Sequence, residues 1–165
     1  MSIAKQAKDS YRRNLPHFQK RGATLFITFN AMNRQLFLPP AARDIALEHC
    51  LKEHDVKHHI HTVVIMPEHV HILTTPLDDS SGSPFGIEEI MKPIKGVSAR
   101  RINQLLGRRG TLWQDESFDH SLRSHESTRQ KAEYIANNPV RRGLVETPDE
   151  YPWLWRDWVE GVKHS

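Results

Sequence analysis

Between Ala23 and Asn30, Leu25, Ile27 and Phe29 alternate with Thr24, Phe26 and Thr28, which predicts a strand with one buried face. Pro39-Pro40 then opens a helix on which Ala42, Ala46, Leu47, Cys50 and Leu51 share one side. Val56 to Met66 is β-branched and predicts a second strand; Pro67-Glu68 is a short turn, and His69 to Thr75 returns as a third. The segment Asp78-Asp79-Ser80-Ser81-Gly82-Ser83-Pro84 is rich in turn formers and marks a loop between two halves of one domain. A longer helix follows, with Ile87, Ile90, Ile94, Val97 and Leu105 along one stripe and Pro93 predicting a kink or a late start. Leu112 and Trp113 begin a short strand. Ser127, three residues before Gln130, resembles a capping box for a helix that ends by Asn138, because Pro139 disfavours helix before it. The resulting order is strand, helix, strand-turn-strand, helix, strand, helix. It predicts an α+β fold, an antiparallel sheet with its helices segregated to one face.

Composition narrows this only a little. The chain has 165 residues, 38% of them hydrophobic, which suits a single domain over 1–165 with an aromatic tail packed back on it from about residue 146. The formal net charge of +3 permits an anionic partner, and the basic residues cluster: Arg12-Arg13, Lys20-Arg21, Arg100-Arg101, Arg108-Arg109 and Arg141-Arg142. A single cysteine, Cys50, excludes an internal disulfide and a thiolate zinc cage, and its apolar neighbours predict a buried structural thiol. The charged N-terminal stretch has no signal-peptide h-region, and the longest apolar run, Val63 to Met66, is too short to span a membrane, so the expected location is the cytoplasm.

Two groups of residues carry candidate chemistry. His69 and His71 flank Val70 on the third strand, so alternation puts both imidazoles on one face, where they can grip a metal and leave coordination positions open. Taken alone, the pattern more often marks ordinary surface or structural histidines, and His59 and His61 form a second such pair in a chain with 11 histidines. Tyr134 and Asn138 are spaced i, i+4, which puts a phenol nucleophile and a neutral oxygen ligand one helical turn apart; a core tyrosine and a helix-capping asparagine fit the same spacing.

Together these segments resemble a known family. Met66-Pro67-Glu68-His69-Val70-His71-Ile72-Leu73 is similar to the His-hydrophobic-His (HUH) segment of single-tyrosine transposases. Glu133-Tyr134-Ile135-Ala136-Asn137-Asn138-Pro139-Val140, continuing to Val145, is similar to the tyrosine helix of the REP-associated tyrosine transposases. Tyr11 to Phe18, Leu112-Trp113-Gln114 and Tyr151-Pro152-Trp153 follow the same family's habits, so the resemblance covers nearly the whole chain. It implies a ferredoxin-like antiparallel sheet with the histidines on a central strand and the tyrosine helix lying across them. It also implies Tyr134 as nucleophile, a Mg²⁺ or Mn²⁺ ion on His69, His71 and Asn138, and single-stranded hairpin DNA as substrate. Insertion-sequence relatives often carry glutamine where this chain has Asn138, one methylene shorter.

On this reading Tyr134 attacks a backbone phosphate to give a 5′-phosphotyrosyl link and a free 3′-hydroxyl. No ATP is consumed, in keeping with the absence of a G-x-x-x-x-G-K-[ST] loop and of any nucleotide cofactor. Lys95, Arg100, Arg101, Arg123, Arg141 and Arg142 are candidate DNA contacts, and monomer and dimer both remain open. A hairpin-binding module without turnover, a phosphodiesterase acting through metal-activated water, and a plain histidine-rich metal binder are the alternatives.

Overall fold

The computed structural model describes residues 21–33, 36–122 and 127–158. Its elements are β1 (Leu25–Ala31), α1 (Pro40–Leu51), β2 (His58–Ile65), β3 (His69–Pro76), α2 (Ile87–Leu106), β4 (Trp113–Ser121), α3 (Thr128–Ala136), the single-turn α4 (Asn138–Arg141) and β5 (Leu154–Arg156). The strands form one sheet in the order β4-β1-β3-β2-β5, antiparallel at every pairing. The first four strands with α1 and α2 make the βαββαβ order of a ferredoxin-like fold, and β5 adds a strand beside β2.

Alternation divides the sheet residues between two cores. Leu25, Ile27 and Phe29 of β1 and Val70 and Ile72 of β3 face α1 and α2, whose buried residues are Ala42, Ala46 and Cys50 on one and Ile87, Ile90, Ile94 and Ile102 on the other. Cys50 is fully buried, as its neighbours predict. The opposite face carries Val64, Met66 and Leu73, which pack against Ala132 and Ile135 of α3 together with Tyr151 and Trp158. The helices are therefore not segregated to one side: α1 and α2 cover one face and α3 the other. The reason lies in the end of β2, where Val63 to Ile65 and the following Met66 are buried at every position. A strand with apolar side chains on both faces needs cover on both.

Element boundaries shift for identifiable reasons. The second strand begins at His58 and not at Val56, which is 62% exposed and follows Asp55, a residue turned at φ 60°. The fourth strand is nine residues long, far beyond Leu112-Trp113, because backbone pairing with β1 from Ala31↔Trp113 to Leu25↔Ser121 holds a mostly polar edge. Helix α2 continues through Pro93, which forgoes the amide bond to the Glu89 carbonyl, while Ile90, Met91 and Ile94 anchor the helix on the sheet around it. Its buried stripe runs on to Ser98 and Ile102, leaving Leu105 half exposed. Ser98 is tolerated there because its Oγ accepts the Trp113 indole N–H at 3.0 Å.

Phe29 lies at the centre of the first core, 1% exposed, its ring edge-on to Trp113 at 4.9 Å. Phe29→Ala is expected to lower the unfolding free energy by about 3–5 kcal/mol in urea titrations. A loss below about 1 kcal/mol would remove Phe29 from the packed centre.

Candidate active site

On β3, Val70 and Ile72 sink into the core under α1 and α2, so His69 and His71 stand together on the opposite face. Their rings are tilted by 75° at 4.6 Å, and the two Nε2 atoms lie 3.0 Å apart. Each ring is oriented through its other nitrogen. Glu68 holds His69 Nδ1 at 2.9 Å, and Thr28, opposite His71 in the β1–β3 register, meets His71 Nδ1 at 2.8 Å. Phe26 stacks on the His71 ring at 5.4 Å.

Electrostatics keep both imidazoles in the form that binds metal. Burial pushes His71 down to about 3, helped by the positive charges of Arg141 and Lys131. Burial also lowers His69, against the pull of the Glu68 carboxylate. Glu68 is itself drawn below the usual carboxylate range: burial raises it, but the Arg142 guanidinium at 2.5 Å and His69 outweigh that. Neutral imidazoles with facing nitrogens and tied outer nitrogens fit a divalent cation, since metal–nitrogen bonds of about 2 Å let both reach one ion.

Helix α3 brings Tyr134 over the same face. Ser127 Oγ accepts the Gln130 amide at 3.3 Å, forming that half of the capping box, and Ala132 and Ile135 anchor the helix on the second core. Tyr134 points outward, 57% exposed. The Arg141 guanidinium lies 4.0 Å from its ring centre and Lys131 Nζ 5.2 Å, and Lys131 also reaches Phe26 at 4.7 Å. Tyr134 and Asn138 do not share one continuous helix. α3 stops at Ala136, Asn137 caps it, and half-buried Asn138 opens α4 with Pro139 next.

The basic candidates separate by what they touch. Arg142 is held by Glu68, and Arg141 donates to the Tyr134 carbonyl at 2.8 Å. Lys95 donates to the Gln114 carbonyl at 2.7 Å, and Arg101 binds Glu48 and His49 on the side of α1 and α2. Arg100 is exposed on α2. Arg123 and the Tyr11–Phe18 segment lie outside the described residues.

Several residues of the site escape the sequence reading. Glu68 sits beside His69 inside the quoted motif, and Lys131 precedes Tyr134 by three residues on a helix, so both carried a local signal. Thr28 and Phe26 come from β1 through strand pairing alone. Phe37, 63% exposed, lines a cleft of about 380 Å³ with Asn30, Glu68, His69 and Arg142.

Comparison with known proteins gives a concordant result. The family model described as "Transposase IS200 like" matches residues 33–138, well over half of the chain. A REP-associated tyrosine transposase of Escherichia coli (strain K12) is 25% identical over 155 residues, covering 92% of this chain and 86% of its own length. A solved REP-associated tyrosine transposase bound to a REP hairpin shares the fold, with a TM-score of 0.64 at 24% identity, covering 90% of this chain and 92% of the other. Among the described residues no helix is long and apolar enough to cross a membrane. The protein belongs to the IS200-like transposase family.

Proposed function

We propose that this protein cuts and rejoins single-stranded DNA at the foot of a hairpin, acting on cytoplasmic, nucleoid DNA, with Tyr134 as nucleophile and His69, His71 and Asn138 as ligands of a divalent cation. The observation that carries this reading is a convergence on one sheet face. Two neutral imidazoles turn their Nε2 atoms toward each other at 3.0 Å, below a helix that holds an exposed tyrosine between two cations. The hairpin in the related structure supports the choice of substrate.

Bound there, a Mg²⁺ or Mn²⁺ ion supplies Lewis acidity toward a phosphate oxygen, and two nitrogen donors favour Mn²⁺ of the two. The chain's own residues do the rest. Glu68 and Thr28 hold the ligand rings in place, and Arg142 holds Glu68. Arg141 and Lys131 offer positive charge where a phosphate approaches the Tyr134 ring; Arg141 has five N–H donors and uses one on the Tyr134 carbonyl. The Tyr134 oxygen gives up its proton and bonds to phosphorus, while the 3′ oxygen departs and takes up a proton. One phosphodiester replaces another, so the reverse attack by a 3′-hydroxyl rejoins the strand without ATP. Phe37 at the edge of the cleft offers a ring on which an unpaired base can stack. Exposed Arg100, and Arg141 with the donors it does not use on the Tyr134 carbonyl, are the basic residues best disposed for backbone contacts, whereas Arg101 and Arg142 are ion-paired with Glu48 and Glu68 and Lys95 bonds the Gln114 carbonyl.

Tyr134→Phe removes one oxygen from an exposed ring, so hairpin binding and Mn²⁺ affinity should persist while cleavage and the covalent protein–DNA adduct vanish. Peptide mapping of the wild-type adduct should find the DNA on Tyr134 and not on Tyr151, whose buried hydroxyl donates to the Ile65 carbonyl. Full cleavage by the phenylalanine variant would sink the proposal.

Arg142 and Arg141 should behave differently although they are neighbours. Arg142→Ala and Glu68→Gln should each weaken Mn²⁺ binding by about 10–100-fold, the usual effect of losing a group that orients a ligand. Arg141→Ala should instead lower the salt dependence of hairpin affinity by about 0.7 in log–log slope, the contribution of one single-strand phosphate contact. A slope change with Arg142→Ala and none with Arg141→Ala would reverse these assignments.

A further inference from the structure

Away from the His69–His71 pair, the fold assembles a second group of metal-ligating side chains. His59 and His61 alternate on β2, and Asp157 immediately follows β5, which pairs with β2 through Thr62↔Arg156. His59 Nε2 lies 3.0 Å and His61 Nδ1 3.7 Å from the same Asp157 oxygen, Oδ2. The three donor atoms fall within 4.8 Å of one another. As in the first pair, each ring is oriented through its other nitrogen: Asp55 Oδ1 meets His59 Nδ1 at 2.6 Å, and Thr75 Oγ1 meets His61 Nε2 at 2.8 Å. Asp55 reaches His59 from the left-handed turn before β2, a conformation that aspartate tolerates better than most residues.

A simple ion pair accounts for only part of this. One protonated imidazole would satisfy Asp157, yet two rings converge on a single carboxylate oxygen. Beside them is a cavity of about 430 Å³ lined by His61, Asp157, Trp158, Thr128, Arg129 and Ala132. Trp158 is 5% exposed, and its buried indole N–H has no acceptor among the described residues.

We propose that His59, His61 and Asp157 bind a divalent first-row transition metal of the Zn²⁺ class, with Asp55 and Thr75 orienting the rings and the cavity admitting the water or anion that completes the shell. Two imidazoles and one carboxylate are the donor set that such ions prefer, and separations of 3.0 and 3.7 Å suit metal–ligand bonds of about 2 Å. The ion would fasten β5 to β2 and hold Trp158 against Arg129 of α3, whose guanidinium lies 4.2 Å from the indole ring. The site is separate from the transposase centre and does not depend on its chemistry.

The test uses the full chain carrying His69→Ala and His71→Ala, so that the first pair contributes nothing. Titration with Zn²⁺ should reveal one remaining site, and Co²⁺ in its place should give visible d–d absorption. Zn²⁺ should raise the Tm of this protein. Adding His59→Ala or Asp157→Asn should abolish the Co²⁺ spectrum and the Tm shift, whereas Asp55→Asn should weaken Zn²⁺ binding by about 10–100-fold. His54→Ala should leave the Co²⁺ spectrum in place, with at most the modest weakening expected from a contact of His59 and Asp55, which separates this site from the neighbouring His54, Asp55 and His59 group. Circular dichroism without metal establishes that each variant is folded. Should His59→Ala unfold, Asp157→Asn, nearly the same size, carries the test alone. Absence of a Zn²⁺ site in the His69/His71 double variant overturns the proposal, as does binding that survives Asp157→Asn or disappears with His54→Ala.

Discussion

β3 is hydrogen-bonded on both sides, to β1 through Phe29↔Val70 and Ile27↔Ile72 and to β2 through Ile65↔Val70 and Val63↔Ile72, and every feature of the site depends on that double register. Side chains alternate with a period of two, so burying Val70 and Ile72 in one core obliges His69 and His71 to face the other way. A slip of one residue would drive both imidazoles into the apolar layer under α1 and α2 and expose the aliphatic pair, which makes the register costly to lose. The hairpin tip is further sewn in place: Ala31 N–H donates to the Glu68 carbonyl, Leu38 N–H to Pro67, and Met66 N–H to His69. These bonds set the position of Glu68, and through it the orientation of His69.

Half-buried imidazoles on a sheet surface need partners for their outer nitrogens, because an unpaired polar group away from water is destabilising. Here the partners come from different parts of the chain. Thr28 arrives by strand pairing, Glu68 by the hairpin turn, and Arg142 from the C-cap of α4 to clamp Glu68. The same burial that lowers His71 to about 3 prevents protonation from competing with a metal at neutral pH. The cations that reinforce this shift, Arg141 and Lys131, are those that flank Tyr134, so one cluster of charge touches both the histidine pair and the exposed phenol.

β2 presents a parallel case. Its second half, Val63 to Ile65, is buried on both faces, while its first half carries His59 and His61 toward Asp157 at the end of the edge strand β5. The aromatic tail that follows Tyr151 does more than cover the sheet: it supplies β5, the carboxylate of Asp157 and the indole of Trp158 to a cavity beside α3.

The alternation of strands and helices and the shared face of His69 and His71 were legible in the chain because both follow from local periodicity, whereas the ferredoxin-like arrangement was implied by the family resemblance. Alternation on β3 needs only the identities of neighbouring residues, and the Pro39-Pro40 start of α1 needs only backbone geometry. What local pattern could not provide was the side of the sheet that α3 covers, the break at Asn137 that separates Asn138 from the helix of Tyr134, and the capture of Arg142 by Glu68. The length of β4 and the pairing of His59 with Asp157, 98 residues away, belong to the same class. Each depends on contacts between segments distant in sequence. There, packing and charge pairing override helical spacing and the composition of basic clusters, because a guanidinium beside a half-buried carboxylate is held by that partner whichever residues flank it in the chain.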